Sequence, residues 1–154
     1  MYVGLIVHSF TGNTRSVAER IRERLLANGH TVSLEEVVLV NEDPQSPSPI
    51  TLASAPATAK YDAVVFAGPV RGMSASPAMQ SYIPISDPLE GKPVRVFVTH
   101  YFPFAWMGGT RSADQLAEMA TSRGGTVVGK GVINWTSRKR ERDIESLVET
   151  FSRW

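Results

Sequence analysis

Six consecutive residues, Ser9-Phe10-Thr11-Gly12-Asn13-Thr14, place three hydroxyls and a glycine directly at the head of an amphipathic stretch. If that stretch is helical, the N–H groups of its first turn have no intrahelical acceptor. The positive end of its dipole lies there too, so the segment favours an anion. Gly12 lets the backbone turn tightly around oxygen atoms, and Ser9, Thr11 and Thr14 can each donate a hydroxyl hydrogen bond. The segment contains no lysine. A terminal phosphate held by neutral donors therefore suits it better than a triphosphate with magnesium. A helix needs only one such residue as a cap, and the density here exceeds that need.

Other chemistries are excluded by what the chain lacks. There is no G-x-x-x-x-G-K-[ST] and no G-x-G-x-x-G after the first apolar run, which argues against a P-loop ATPase and a dinucleotide fingerprint. No acidic pair closes that run, as a phospho-acceptor receiver domain would require. The absence of cysteine removes thiolate metal sites, cysteine nucleophiles and a disulfide-built secreted fold. A net charge of +1 gives no global field that would draw nucleic acid or a membrane. The apolar run Met1–Val7 is too short for a signal peptide or a membrane span, so the cytoplasm is the expected location.

The elements that must position the phosphate segment follow from periodicity. Tyr2–Val7 is apolar without alternation and reads as a strand buried on both faces. Residues 13–28 read as a helix with Val17, Ile21 and Leu25 four apart, stopped by Gly29. Thr31–Val40 reads as a second strand. Residues 42–59, with Pro44, Pro47, Pro49 and Pro56, read as a long loop with at most a short helical turn. Residues 62–67 form the third expected strand, ending in Gly68-Pro69, and a short helix follows over 76–83 with Pro77 at its first position. Strand four is expected over 93–99, a helix over 110–123 stopped by Gly124-Gly125, and strand five over 126–133. A last helix starts near Ser137 and buries Ile144, Leu147, Val148 and Phe151 on one face.

Five strands alternating with helices predict a parallel sheet covered on both faces. Ligands of such sheets bind beyond the carboxyl ends of the strands, where the strand order reverses. The segments 8–14, 68–76 and 99–109 all leave carboxyl ends. The last of them holds Tyr101, Phe102, Phe104 and Trp106, and a solvated loop gains nothing from four aromatics.

Ser9-Phe10-Thr11-Gly12-Asn13-Thr14 resembles the flavodoxin phosphate-loop signature, T/S-x-T-G-N-T, in sequence and in position after strand one. Residues 61–69, ending in Gly68-Pro69, look like the third strand of that family. The resemblance implies an α/β fold, a flavodoxin-like three-layer α/β/α sandwich with a five-stranded parallel sheet in the order 2-1-3-4-5. It implies one domain over 1–154, with flavin mononucleotide (FMN) at the switch between strands one and three. The FMN phosphate would then lie on Ser9, Phe10, Thr11, Gly12, Asn13 and Thr14. Pro69, Val70, Arg71 and Gly72 would flank one side of the isoalloxazine ring, and Thr99, His100, Tyr101, Phe104, Trp106 and Gly109 the other. Phe104 falls nearest the family's stacking aromatic, with Tyr101 and Trp106 as alternatives, and His100 could bond the pyrimidine edge.

Two departures from the family pattern stand out. No aromatic occurs in 68–76, so Val70 or Met73 would pack on the ring in its place. Flavodoxins surround the ring with acidic residues, whereas Arg71 would attract the negative charge of a reduced flavin. The Arg71-Gly72 peptide is the candidate for the family's redox-linked flip. Arg138-Lys139-Arg140 opens the last helix against its dipole and could attract a nicotinamide nucleotide phosphate or an acidic redox protein. The implied function is electron transfer to a redox partner protein, with no catalytic acid or base and no metal. The alternatives are an FMN-dependent NAD(P)H or quinone oxidoreductase, or a module whose cofactor site is sensory or lost.

Overall fold

The computed structural model describes residues 1–43, 49–101 and 108–154. Five parallel strands form its centre: β1 (Tyr2–Val7), β2 (Thr31–Glu36), β5 (Ala63–Arg71), β7 (Pro93–His100) and β8 (Thr126–Asn134), in the spatial order β2-β1-β5-β7-β8. Counting the parallel strands alone, this is the expected 2-1-3-4-5 order. Alternate residues of the central strands point to opposite faces and enter two separate cores. Ile6, Val64, Phe66, Val94, Val96 and Val98 pack beneath α2 (Pro77–Tyr82) and α3 (Gly109–Ser122). Val3, Leu5, Val7, Ala63, Val65, Ala67 and Phe97 pack beneath α1 (Asn13–Ala27) and α4 (Arg140–Phe151). The expected buried face of α4 is the one observed, with Ile144, Leu147, Val148 and Phe151 in the core. The result is the three-layer α/β/α arrangement.

Helix ends are set locally. After α1, Gly29 takes φ 88°, its N–H reaches the Leu26 carbonyl, and the N–H of His30 reaches that of Leu25. Gly124 repeats the pattern after α3 with bonds to Thr121 and, through Gly125, to Ala120. These are Schellman ends, which need a left-handed residue that glycine supplies without strain.

Three expectations are corrected. Thr31–Val40 is not one strand: β1 ends at Val7, whose carbonyl takes the N–H of Val37, and beyond that point β2 has no neighbour to pair with. The chain leaves the sheet there. Val38–Leu39 (β3) instead pairs antiparallel with Leu52–Ser54 (β4), a strand inside the stretch read as loop. The third parallel strand does not stop at Ala67, because β7 continues alongside it, pairing Gly68 with Val98 and Pro69 with Thr99. It runs to Arg71 and folds back through Gly72 into β6 (Ser74–Ala75), so the segment 68–76 is a β-hairpin rather than a loop. Finally, α4 starts at Arg140 rather than near Ser137, so Arg138 and Lys139 precede it. The Asn134 side chain accepts the N–H of Thr136 and holds this stretch in turns. Among the described residues no helix is long and apolar enough to cross a membrane.

Candidate functional site

The candidate phosphate segment, residues 9–14, spans the turn from β1 into α1, as the sequence predicts. Helix α1 begins at Asn13, and its N-cap is Gly12, at φ 93° in the left-handed region. A glycine cap offers no side-chain acceptor, so the N-cap residue itself makes no side-chain bond to the first turn. Ser9 Oγ accepts one first-turn N–H, that of Arg15, at 3.2 Å. Capping by the local hydroxyls is therefore partial, and the helix end retains donors for an anion. Thr11 and Gly12 are exposed. Arg15, in the first turn of α1, is paired with Glu36 at 2.7 Å and Glu19 at 3.3 Å. Neutral donors at a positive helix end, with no acidic side chain in the segment, fit a terminal phosphate.

Thr14 behaves differently. It is buried, and its hydroxyl lies 2.7 Å from that of Thr99, also buried, at the end of β7. The two threonines join the start of α1 to the start of the 99–109 segment. Asn13 makes a parallel link, its Nδ2 donating to the Tyr101 hydroxyl at 2.5 Å. The structure thus brings 9–14 together with 99–101. Phe104 and Trp106 lie outside the described residues, as does Phe102.

The β5–β6 hairpin forms the third wall. Gly72 is the first central residue of its two-residue turn, with φ 61°, and no non-glycine residue among those described has positive φ. A left-handed glycine followed by an ordinary residue is the pattern of a II′ hairpin turn. Pro69, Val70 and Arg71 are half-buried in the hairpin. The Arg71 guanidinium stacks over Phe10, 5.1 Å from the ring centroid, which joins hairpin to phosphate segment. Across the site Gly108, at φ 102°, caps α3, and a β-carbon there would lie 3.0 Å from Met73 Cα and 3.1 Å from Val70 Cγ1. Gly109 starts α3 directly against His100 and Val132.

His100 is 2% exposed, and neither ring nitrogen meets a hydrogen-bond partner among the described residues. Burial disfavours its charged form and holds its pKa below the ordinary 6.5. The unfolded chain then binds more protons than the folded one below about pH 6.5, so stability is full above that value and falls as pH drops through it. Urea midpoints measured at about pH 7.5 and about pH 5.5 should show this acid loss, and His100→Phe should flatten it. An equal acid loss in the variant would assign it elsewhere.

The basic cluster does not act as a unit. Arg140 stacks 4.7 Å from the centroid of Trp135 and donates to its carbonyl at 2.7 Å, whereas Arg138 and Lys139 are exposed. The turn before them approaches the site at Thr136, whose hydroxyl donates to Asn134 Oδ1 at 2.8 Å and lies 3.4 Å from the Tyr101 carbonyl.

A further group at the site is not announced by any motif. His8, at the end of β1, is 2% exposed and bonds Ser76 through Nδ1 at 2.8 Å and Glu42 through Nε2 at 3.1 Å. Glu42 lies 34 residues from His8 and Ser76 lies 68, so no local spacing signals the three together.

Solved structures match this arrangement along nearly the whole chain. Flavodoxin 2 from Bacillus cereus superposes with a TM-score of 0.71 at 18% identity, covering 99% of this chain and 98% of that one. A Streptococcus pneumonia TIGR4 flavodoxin gives 0.68 at 16%, with 99% and 98% covered. A flavodoxin, WrbA-like protein from Agrobacterium tumefaciens gives 0.68 at 15%, with 99% and 93% covered. At such identities the likeness establishes the fold. No curated protein matches the chain. The family described as NADPH-dependent FMN reductase matches residues 1–139. The chain belongs to the NADPH-dependent FMN reductase family, on a flavodoxin-like fold, and FMN is the cofactor that this membership implies.

Proposed function

We propose that the protein is an FMN-dependent reductase that accepts reducing equivalents from NAD(P)H and passes them to a small acceptor such as a quinone. FMN, when bound, would supply hydride and one- or two-electron chemistry, and the chain would supply binding, orientation and electrostatics. The observation that carries the reading is Arg71, a guanidinium held at the hairpin tip by Phe10 where a low-potential carrier would place acids. In this reading the N–H groups at the start of α1 and the Ser9 and Thr11 hydroxyls would hold the FMN phosphate, with Gly12 leaving room for it. Thr14, Asn13 and Thr99 hold the loops together behind it. Pro69, Val70, Arg71 and Gly72 cover one side of the ring, and Tyr101, His100 and Gly109 border the other. Arg138 and Lys139 offer a docking charge for a nicotinamide nucleotide phosphate.

The FMN-loaded protein should oxidise NADPH or NADH in the presence of a quinone without any added protein. If turnover appears only when a redox protein is added, the chain is an electron carrier. That second reading is favoured by three exposed apolar side chains, Phe10 and Met73 at 46% and Tyr101 at 55%, which offer a protein partner a contact surface.

Arg71→Ala tests the electrostatic argument directly. Removing the positive charge should lower the two-electron midpoint potential of the bound flavin by about 30 mV, equivalent to about 1.4 kcal/mol of lost attraction. An unchanged potential would mean that Arg71 serves only to stack on Phe10.

A further inference from the structure

His8 is buried at the edge of the proposed flavin site, yet both ring nitrogens meet polar groups. Nδ1 faces Ser76 Oγ at 2.8 Å and Nε2 faces Glu42 Oε2 at 3.1 Å, while the backbone N–H of His8 donates to the Ala67 carbonyl at 3.0 Å. Ser76 is the N-cap of α2, and its Oγ already accepts the N–H of Met79 at 3.3 Å. The other oxygen of Glu42 accepts the N–H of Leu39 at 2.8 Å. For a neutral ring, one placement of protons suits every group: Nε2–H donates to Glu42, and the Ser76 hydroxyl donates to Nδ1. The opposite tautomer would set a ring lone pair against a carboxylate and leave the Ser76 hydrogen without an acceptor in a buried place.

A serine, a histidine and a carboxylate in line suggest a hydrolytic relay, but Ser76 is 1% exposed at the start of α2, so a substrate cannot reach it. What the network does reach is the hairpin. Ser76 follows β6 directly, and Ala75 is fixed by Gln115 at 2.8 Å and Gln80 at 2.7 Å. His8 adjoins Ser9 at the head of the phosphate segment. His8, Glu42, Arg71 and Gly72 also line one cleft of about 260 Å³.

We propose that His8 is a positioning residue for flavin binding: held as the Nε2–H tautomer by Glu42, it locks the foot of the β5–β6 hairpin to the phosphate segment through Ser76. The hairpin tip, with Arg71 and Gly72, is thereby set at a fixed distance from the anion site. This rests on the reading that the site holds FMN, and it adds to that reading a residue outside the set proposed to touch the ring or the phosphate.

The test compares wild type with His8→Leu and His8→Asn. Asparagine can accept the Ser76 hydroxyl in place of Nδ1, whereas leucine fills the space and accepts nothing. FMN affinity, measured by flavin fluorescence quenching, should weaken roughly tenfold in His8→Leu, the size of one lost buried hydrogen bond, and return to within about threefold of wild type in His8→Asn. Nitrogen-15 spectra should show Nδ1 of His8 unprotonated, and amide exchange at Gly72 and Ser74 should quicken in His8→Leu without FMN present. An Nδ1–H tautomer, or a His8→Asn protein no better than His8→Leu, overturns the proposal. If wild type itself binds no FMN, the functional reading fails instead, and the tautomer and amide exchange of the flavin-free protein still decide the role of His8. Should His8→Leu not fold, the ring spectra of wild type and the affinity of His8→Asn decide between the outcomes.

Discussion

Replacing Thr11 by aspartate should weaken FMN binding by about a hundredfold while leaving the flavin-free protein as stable as before. Thr11 is exposed at the entrance of the helix end, and nothing among the described residues bonds its hydroxyl. Aspartate at that place sets a full negative charge against a phosphate. Two unit charges about 4 Å apart repel by about 1 kcal/mol in water and about 4 kcal/mol at the effective dielectric of a protein surface. A hundredfold loss corresponds to about 2.7 kcal/mol, within that range. The same aspartate faces the positive end of α1, which favours it by about 0.3–1 kcal/mol, so thermal stability without flavin should hold or rise slightly.

Opposite signs for stability and affinity make the result diagnostic. A damaged fold would lower both. Riboflavin supplies the second arm because it carries the ring without the phosphate. Its affinity should be nearly equal for wild type and Thr11→Asp. An FMN affinity within about threefold of wild type would place the phosphate elsewhere and remove the central element of the proposed site.

The largest expected effect on stability lies far from the site, at Gly4 in β1. A β-carbon there would fall 2.3–2.7 Å from Cγ, Cδ2 and Cε2 of Tyr61, nearer than nonbonded carbons approach. The tyrosine has no room to yield. It is 1% exposed, its hydroxyl donates to Glu35, and its ring meets Tyr2 edge-on with centroids 4.9 Å apart. Tyr2 is itself tied to Ser33 at 2.8 Å. Gly4→Ala should therefore cost about 3 kcal/mol, the upper end of ordinary overpacking, and lower the melting temperature by roughly 10 °C. Combining it with Tyr61→Leu should recover part of the loss, because the clash is a property of the pair. Strictly additive effects of the two substitutions would show that the ring is not what excludes a side chain at Gly4.

The features legible in the sequence are those that short stretches decide. The run Tyr2–Val7 is apolar throughout because both faces of β1 are buried, and that is visible without knowing the neighbours. Gly29 and Gly124 end their helices by their own backbone freedom, and Pro77 stands at the first position of α2, as its fixed φ favours. Three segments leave carboxyl ends of parallel strands, and that alone places them at one edge of the sheet. Where β2 ends was not legible, because it ends where its partner β1 ends. Nor was the hairpin at 68–76, since β5 continues only because β7 runs beside it.

The candidate phosphate segment is legible in the sequence itself: a glycine, hydroxyls and a helix start lie within six residues, and that pattern needs no distant partner. Tertiary structure decided how those hydroxyls divide. Thr14 turned inward to Thr99, 85 residues away, and Ser9 to the N–H of Arg15, while Thr11 stayed exposed at the entrance. It also set Arg71 over Phe10 and seated His8 between Ser76 and Glu42. Apart from the local Ser9–Arg15 bond, these pairings join residues 34 to 85 apart. A side chain's partner across such distances follows from strand order and register, which no local pattern encodes.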